Sequence, residues 1–279
     1  MKSVLEVIQA TVPYFQKCGV ENPRLNIEHL LAHVLGKKRM DLYLEFDRPL
    51  GDRDLEPLRE LVKRRGQGEP LQHLLGTVEF LGRTFICDKR ALVPRPETEQ
   101  LCELLLADFG SRIGGGRVLD VGTGSGVIAL TLAARWPDAQ IEAVDISPGA
   151  LALARENALR LGLMARVQFS EADLLAGATG EFQLIVANLP YVDPAAQSSL
   201  AREVQHDPPL ALYGGAGGLE LLRELIAQAT RHLRGPLGLE IGYNQAQTVC
   251  ETLVGHNYQD IRVLNDYQGR QRFVFATYG

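Results

Sequence analysis

The chain has 279 residues, of which 46% are hydrophobic and 23% charged, enough core material for one large or two modest globular domains. Its formal net charge of −5 argues against broad binding to a phosphate backbone, although it leaves room for a local basic patch. Four scattered cysteines, Cys18, Cys87, Cys102 and Cys250, form no CxxC pair, so neither a zinc site nor a disulfide framework is expected and no metal is implied. The N-terminal stretch lacks the pattern of a signal peptide, and no run reaches the roughly 20 apolar residues of a membrane span. A soluble, cytoplasmic protein is the expectation.

Residues 1–75 read as helices. In NIEHLLAHVLG the apolar positions Ile27, Leu30, Leu31, Val34 and Leu35 recur at helical spacing, and Gly36 follows as a C-cap. His29 and His33 lie on one face there and read as packing positions rather than ligands. LEPLRELVKRRG is again amphipathic, with KRR (Lys63 to Arg65) at its end as a solvated helix terminus or a contact for an acidic partner. No strand pattern precedes residue 76. TVEFLGRTFICD then reads as a β-hairpin around a Leu-Gly turn. The prolines of ALVPRPETEQL bar a helix until Glu97, so residues 76–96 read as hairpin and linker, with Arg95 and Glu97 bordering a cleft.

From residue 116 strands and helices alternate: RVLDV, IEAVD, VQFSEAD, FQLIVAN and PLGLEIG as strands, with helical segments after most of them. SPGALALARENALRLG has Ser147 as N-cap and Pro148 at its first position. The pattern predicts a mostly parallel sheet covered by helices on both faces, closed by an antiparallel pair within IRVLNDYQGRQRFVFATYG.

Two loops carry chemistry. DVGTGSG follows the first of these strands and opens a helix, a place where glycines let a nucleotide approach. Its glycines, Gly122, Gly124 and Gly126, do not match the dinucleotide spacing, since Val127 stands after them. Asp120 adds a carboxylate suited to a ligand bearing an amino group and a sulfonium. Asp145 ends the second strand, where it can accept from ribose hydroxyls. Asp173, after the third, is placed either to meet an adenine amino group or to cap a helix. These spacings favour S-adenosylmethionine over NAD. The second loop, NLPY, follows the buried run Leu184 to Ala187, where ligands bind in open α/β sheets. The Asn188 side-chain oxygen and the Leu189 carbonyl can accept the two hydrogens of a planar NH₂ group. Pro190 fixes the backbone, and Tyr191 offers a flat face.

These segments resemble the PrmC (HemK) family, the methyltransferases of peptide-chain release factors. The resemblance runs through PRLNIEHLLAHVLG, GEPLQHLLGTVEFLGRTFICDKRALVPRPETE, DVGTGSGVIAL, the aspartate of AVDIS, and LEIG. It implies an α/β fold: a class I (Rossmann-like) S-adenosylmethionine-dependent methyltransferase domain over residues 97–279. A β-hairpin linker, 76–96, would join it to a small helical domain, 1–75, that recognises the protein substrate. The implied reaction moves a methyl group to the side-chain amide of the glutamine in the GGQ motif of class 1 release factors. Gly122, Thr123, Gly124, Ser125, Gly126, Asp145, Asp173, Leu174 and Asn188 would contact the cofactor, and Asn188, Leu189, Pro190 and Tyr191 would hold the glutamine. The family motif is usually NPPY, so Leu189 is a departure that keeps the carbonyl but frees Asn188 from the restraint of a following proline. Three other readings stand beside this one: a methyltransferase of a ribosomal-protein glutamine, one acting on an exocyclic amine of DNA or RNA, and a cofactor-binding protein without turnover. The acidic chain offers little of the basic surface that nucleic acid needs.

Overall fold

Residues 2–279 are described by the computed structural model, except for the side chains of 111 and 112. Their contacts separate into two units: one runs to Thr77 and takes in Ala201–His206, and the other is Val78–Leu200 with Asp207–Gly279.

The smaller unit contains β1 (Lys2–Ser3), α1 (Val4–Lys17), α2 (Pro23–Leu35), β2 (Pro49–Leu50), α3 (Asp52–Gly66) and α4 (Leu71–Leu75). A capping box starts α1: Ser3 Oγ accepts from the Glu6 amide at 3.3 Å, and the Ser3 amide donates to the Glu6 carboxylate at 2.7 Å. Pro23 sits in the first turn of α2, which ends at Gly36 with φ 62°, as its sequence predicts. The apolar stripes of α1, α2 and α3 meet in a core that includes Ile8, Phe15, Ile27, Leu30, Leu31 and Leu58. Two features differ from expectation. β1 and β2 pair antiparallel, Lys2 opposite Leu50 and Ser3 opposite Pro49, in strands too short for any period to show. Arg65 is buried rather than solvated: its Nε donates to Asn26 Oδ1 at 2.6 Å, one terminal nitrogen donates to the Glu69 carbonyl at 3.0 Å, and the other pairs with Glu203. Arg64 is engaged too, donating to Glu69 at 2.7 Å. Of the two histidines, His29 is half-buried and His33 exposed, so only the first packs.

The larger unit begins at the second residue of β3 (Thr77–Phe80) and continues into β4 (Arg83–Ile86); the turn residues between these strands, Leu81 and Gly82, both have positive φ, 44° and 73°. A two-residue hairpin turn of the primed kind requires this. Phe80 and Phe85 join one apolar cluster with Leu101, Cys102 and Val118, so the hairpin is part of this unit's core rather than a bare linker. Next come α5 (Pro96–Ile113), β5 (Arg117–Val121), α6 (Val127–Arg135), β6 (Gln140–Asp145), α7 (Pro148–Arg160), β7 (Val167–Glu171) and β8 (Leu184–Ala187). The chain closes with α8 (Glu220–Ala229), β9 (Gly235–Glu240), α9 (Ala246–Gly255), β10 (Gln259–Asn265) and β11 (Gln271–Tyr278).

Seven strands form one sheet in the order β10-β11-β9-β8-β5-β6-β7. β9, β8, β5, β6 and β7 are parallel to their neighbours in that series, while β11 runs antiparallel to both β9 and β10. The period of two sorts residues between the faces. Val118, Leu184, Val186, Phe273 and Phe275 enter one cluster; Leu119, Val121, Ile185, Ala187, Val274 and Ala276 enter the other. From β5 the chain moves outward to β6 and β7 on one side and returns to β8 on the other. This is the topological switch point where open α/β sheets bind ligands. No helix among the described residues is long and apolar enough to cross a membrane.

Candidate active site

Strand register sets the site. Val121 lies opposite Val144 on one side and Ala187 on the other, so β5, β6 and β8 end nearly flush. The residues that follow, Gly122, Asp145 and Asn188, therefore emerge side by side. They line a cleft of roughly 1070 Å³, its open mouth included, together with Thr123, Gly124, Ser125, Asp173, Leu174, Leu189, Pro190 and Thr98.

The glycine loop is held from behind and beside. Gly122 has φ 71°, and its amide and that of Thr123 both donate to the Val144 carbonyl, at 2.9 and 3.0 Å. The positive φ of Gly122 strains any L side chain, and a Cβ there would stand 2.9 Å from Leu189 Cδ2, which would have to move. Gly126 does not line the cleft; a Cβ there would press on Ala154 and Leu130 at 3.1 Å, which makes it a packing glycine. Asp145 accepts from the Gly124 amide at 2.8 Å and the Ser147 amide at 2.9 Å, fixing the loop against the end of β6. Burial raises its carboxyl from the ordinary value, and those same amides oppose the shift.

Asp120 is where the structure departs from expectation. It is fully buried and does not line the cleft. Its Oδ2 accepts from the Thr123 hydroxyl at 2.7 Å and the Ala129 amide at 3.0 Å, so it braces the glycine loop from inside instead of meeting a ligand's amino group. Burial pushes this carboxyl up to about 7 against those two donors. Asp173 opens a turn closed by the Ala176 amide on its carbonyl at 2.9 Å. No helix follows it, which removes the capping alternative and leaves a residue on the cleft wall. Leu174, beside it, adopts φ 51° and is buried.

On the other side of the switch point, Asn188 Nδ2 donates to the Thr98 hydroxyl at 3.0 Å, and that hydroxyl donates to Glu240 Oε2 at 2.8 Å. Glu240 ends β9 and is almost wholly buried. Sequence reasoning gave neither Thr98 nor Glu240 a role in the site; the available signal for the second was a lone carboxylate closing the apolar run PLGLE. Leu189 packs into the second sheet cluster and touches the glycine loop, so the residue that replaces the usual proline ties the two loops together. Tyr191 is set apart. It does not line the cleft, its carbonyl accepts from Gln245 Nε2 at 3.0 Å, and its ring lies 5.9 Å from the Arg272 guanidinium. Burial pushes its hydroxyl up to about 12. Arg95 also stays off the cleft wall, paired at 2.6 Å with the buried carboxylate of Asp207. Glu97 likewise stays off that wall.

Comparison with known proteins follows the same lines. The PrmC N-terminal domain family matches residues 6–76, and the methyltransferase small domain family matches residues 95–207. The release factor glutamine methyltransferase of Deinococcus radiodurans is 44% identical over 262 residues, covering 93% of each chain. That of Chlorobaculum tepidum is 39% identical over 282 residues, covering 97% of this chain and 95% of its own. Among solved structures, the ribosomal protein L11 methylase of Lactobacillus delbrueckii aligns with a TM-score of 0.52 at 25% identity, over 68% of this chain and 83% of that one. A Thermus thermophilus 16S rRNA N2 G1207 methyltransferase solved with AdoMet and guanosine shares the fold, with a TM-score of 0.53 at 19% identity, over 73% and 50% of the two chains.

Proposed function

The chain belongs to the release factor glutamine methyltransferase family, and we infer that it methylates the side-chain amide nitrogen of the glutamine in the GGQ motif of class 1 release factors, with S-adenosylmethionine as donor. The observation that carries this reading is the Asn188 amide, held at the cleft wall with its NH₂ turned inward onto Thr98.

The cleft suits the cofactor. Its lining includes a glycine loop with Gly122 at positive φ, a carboxylate pinned by two backbone amides, and Asp173 and Leu174. Gly122, Thr123, Gly124, Ser125, Asp145, Asp173 and Leu174 would hold it, with Gly126 packing the loop from behind. When bound, the cofactor supplies an electrophilic methyl group on sulfonium.

An amide nitrogen is a weak nucleophile, because its lone pair is delocalised into the carbonyl. The chain's own contribution is orientation and charge. With its Nδ2 committed to Thr98, Asn188 offers Oδ1 as acceptor for one N–H of the glutamine, and the Leu189 carbonyl takes the other. Both oxygens would face the positive charge that develops on nitrogen as its bond to the methyl carbon forms and the methyl–sulfur bond breaks, one amide proton then passing to water. Positioning of this kind can supply about 7–11 kcal/mol of the barrier. Pro190 restrains the backbone of Leu189, and Tyr191 anchors the loop through Gln245.

The test is transfer of labelled methyl from S-adenosylmethionine to an intact release factor, to its GGQ Gln→Ala variant, and to mixed nucleic acid. Label on the intact factor alone is the expected result. Label on nucleic acid would transfer the protein to the exocyclic-amine enzymes, and label on the Gln→Ala variant would move the acceptor elsewhere on the factor.

A further inference from the structure

Asparagine presents an oxygen and an NH₂ group of almost equal shape, and the reading above works only if the oxygen faces the substrate. Nothing in the backbone of the NLPY loop decides this. What decides it lies behind the loop, 90 positions away at Thr98 and a further 142 from there at Glu240.

A carboxylate can only accept hydrogen bonds, so the Thr98 hydroxyl spends its one proton on Glu240 Oε2. The hydroxyl oxygen is then left as an acceptor, and only the NH₂ end of Asn188 can satisfy it. With the amide nitrogen turned inward, the oxygen is left for the cleft. We propose that Thr98 and Glu240 are positioning residues that set the polarity of the Asn188 amide, and thereby make the site specific for an acceptor that donates two hydrogens. This rests on the functional reading given above and deepens it: the substrate class is fixed as a planar, neutral NH₂, and an acceptor-only side chain such as glutamate is refused.

Three further observations bear on it. Glu240 Oε1 has no partner among the described residues, so this carboxylate is retained at a desolvation cost with the Thr98 contact as its visible return. Burial pushes Glu240 up to about 7, and against it Thr98 and Asn188 both favour the ionised form, as a pair of inward-facing donors would. Thr98 itself lines the cleft beside Asn188, which puts the hydroxyl within the site rather than in a remote network.

The experiment compares the whole protein with Thr98→Val and Thr98→Ser. The first keeps the shape and removes the hydroxyl; the second keeps the hydroxyl. Steady-state methylation of a release factor is expected to lose about 10- to 100-fold in kcat in Thr98→Val, with cofactor affinity little changed, and to be restored in Thr98→Ser. A GGQ peptide and its GGE counterpart are then compared as binders. The wild type prefers the glutamine peptide, and Thr98→Val binds both peptides with the preference gone, whereas loss of fold would abolish binding of both. Hydrogen exchange of the Asn188 side-chain NH₂, read by NMR and assigned through Asn188→Asp, gives an arm independent of turnover. Slow exchange in the wild type and Thr98→Ser, with fast exchange in Thr98→Val, is the expected pattern. Fast exchange in the wild type, unchanged kcat in Thr98→Val, or loss of cofactor binding that Thr98→Ser does not restore would each overturn the proposal. If the wild type fails to label the release factor, the functional reading falls, while the exchange arm still decides the polarity.

Discussion

Glu28 in the smaller unit and Glu240 in the larger are the same side chain at the same exposure, 1% each, yet their surroundings differ. Glu28 accepts from Arg24 and Arg39 at 2.9 Å and from the Tyr43 hydroxyl at 2.9 Å. Burial works to raise its carboxyl, but the three donors outweigh it and the group is held below its ordinary value. Glu240 has one hydroxyl on one oxygen and no partner on the other, and burial pushes it up to about 7, opposed by Thr98, Arg272 and Asn188 and reinforced by Glu97. Asp120 repeats the pattern on the other side of the switch point. The smaller unit surrounds Glu28 with counter-charges; the larger, although it pairs buried Asp207 with Arg95, gives Glu240 and Asp120 no ion pair among the described residues, and these two lie just behind the cleft. An under-satisfied buried carboxyl is costly, and its place beside functional loops is where such costs are usually tolerated.

The largest expected effect comes from breaking the paired arrangement. Arg65 is 3% exposed and holds Asn26, the Glu69 carbonyl and Glu203 at once. Arg65→Ala leaves the buried Asn26 oxygen and the Glu69 carbonyl without their donor, while the carboxylate of Glu203, more than a third exposed, returns to water; the change should destabilise the protein by about 2–3 kcal/mol. A urea titration followed by far-UV circular dichroism reads it. A loss below about 1 kcal/mol, the range of surface ion pairs, would mean that the network is solvated and the contrast between the units is false.

The opposite change in the larger unit should be mild and should depend on pH. Asp120 has a folded-state value near 7, above that of an unfolded aspartate. Its contribution to stability is therefore fully present in acid and is lost as the pH rises through about 7, because the unfolded chain gives up the proton more readily. Asp120→Asn keeps an oxygen for Thr123 and Ala129 and carries no charge, so it should flatten that decline. The variant should gain about 1–2 kcal/mol relative to wild type at alkaline pH and show no gain in acid. Thermal melts across the range test it; a difference between the two proteins that is independent of pH would show that Asp120 does not titrate on unfolding.

What could be read from the chain, and what could not, follows the same division. The β8 strand, the Gly36 cap and the Ser147-Pro148 helix start are written in a few neighbouring residues, and local period or cap chemistry decides them. The positions of Asn188, Asp145 and the glycines were legible too, because a ligand site follows strand ends once the topology is known. Which of Asp120 and Asp145 faces the cleft was not, since register and the hydrogen bonds of Thr123 and Ala129 settle it. The grouping of Ala201–His206 with the smaller unit was equally hidden, resting on contacts such as Arg65 with Glu203 across 138 positions. Leu189 read as a flaw in a motif until its contact with Gly122 gave it a packing role.

The smallest effect expected is also the sharpest probe of the contrast. Glu28, held by three donors, should leave no mark on activity in the neutral range, whereas Glu240 should. Ionised, Glu240 forces Thr98 to donate to it; protonated, it can donate to Thr98 instead and release the order that turns Asn188 inward. Activity should therefore fall as pH drops through about 7, with kcat stepping from an upper plateau to a lower one a small factor below it. The field at Glu240 comes from Arg272, which favours the ionised form, and from Glu97, which opposes it. Glu240→Gln cannot ionise, so its profile should lack the step while its kcat sits below the wild-type plateau by a small factor, since the carboxamide can satisfy Thr98 in either sense. Persistence of the step in Glu240→Gln would assign it to another group, with Asp120 the first to examine, and would leave Glu240 as a silent partner of Thr98.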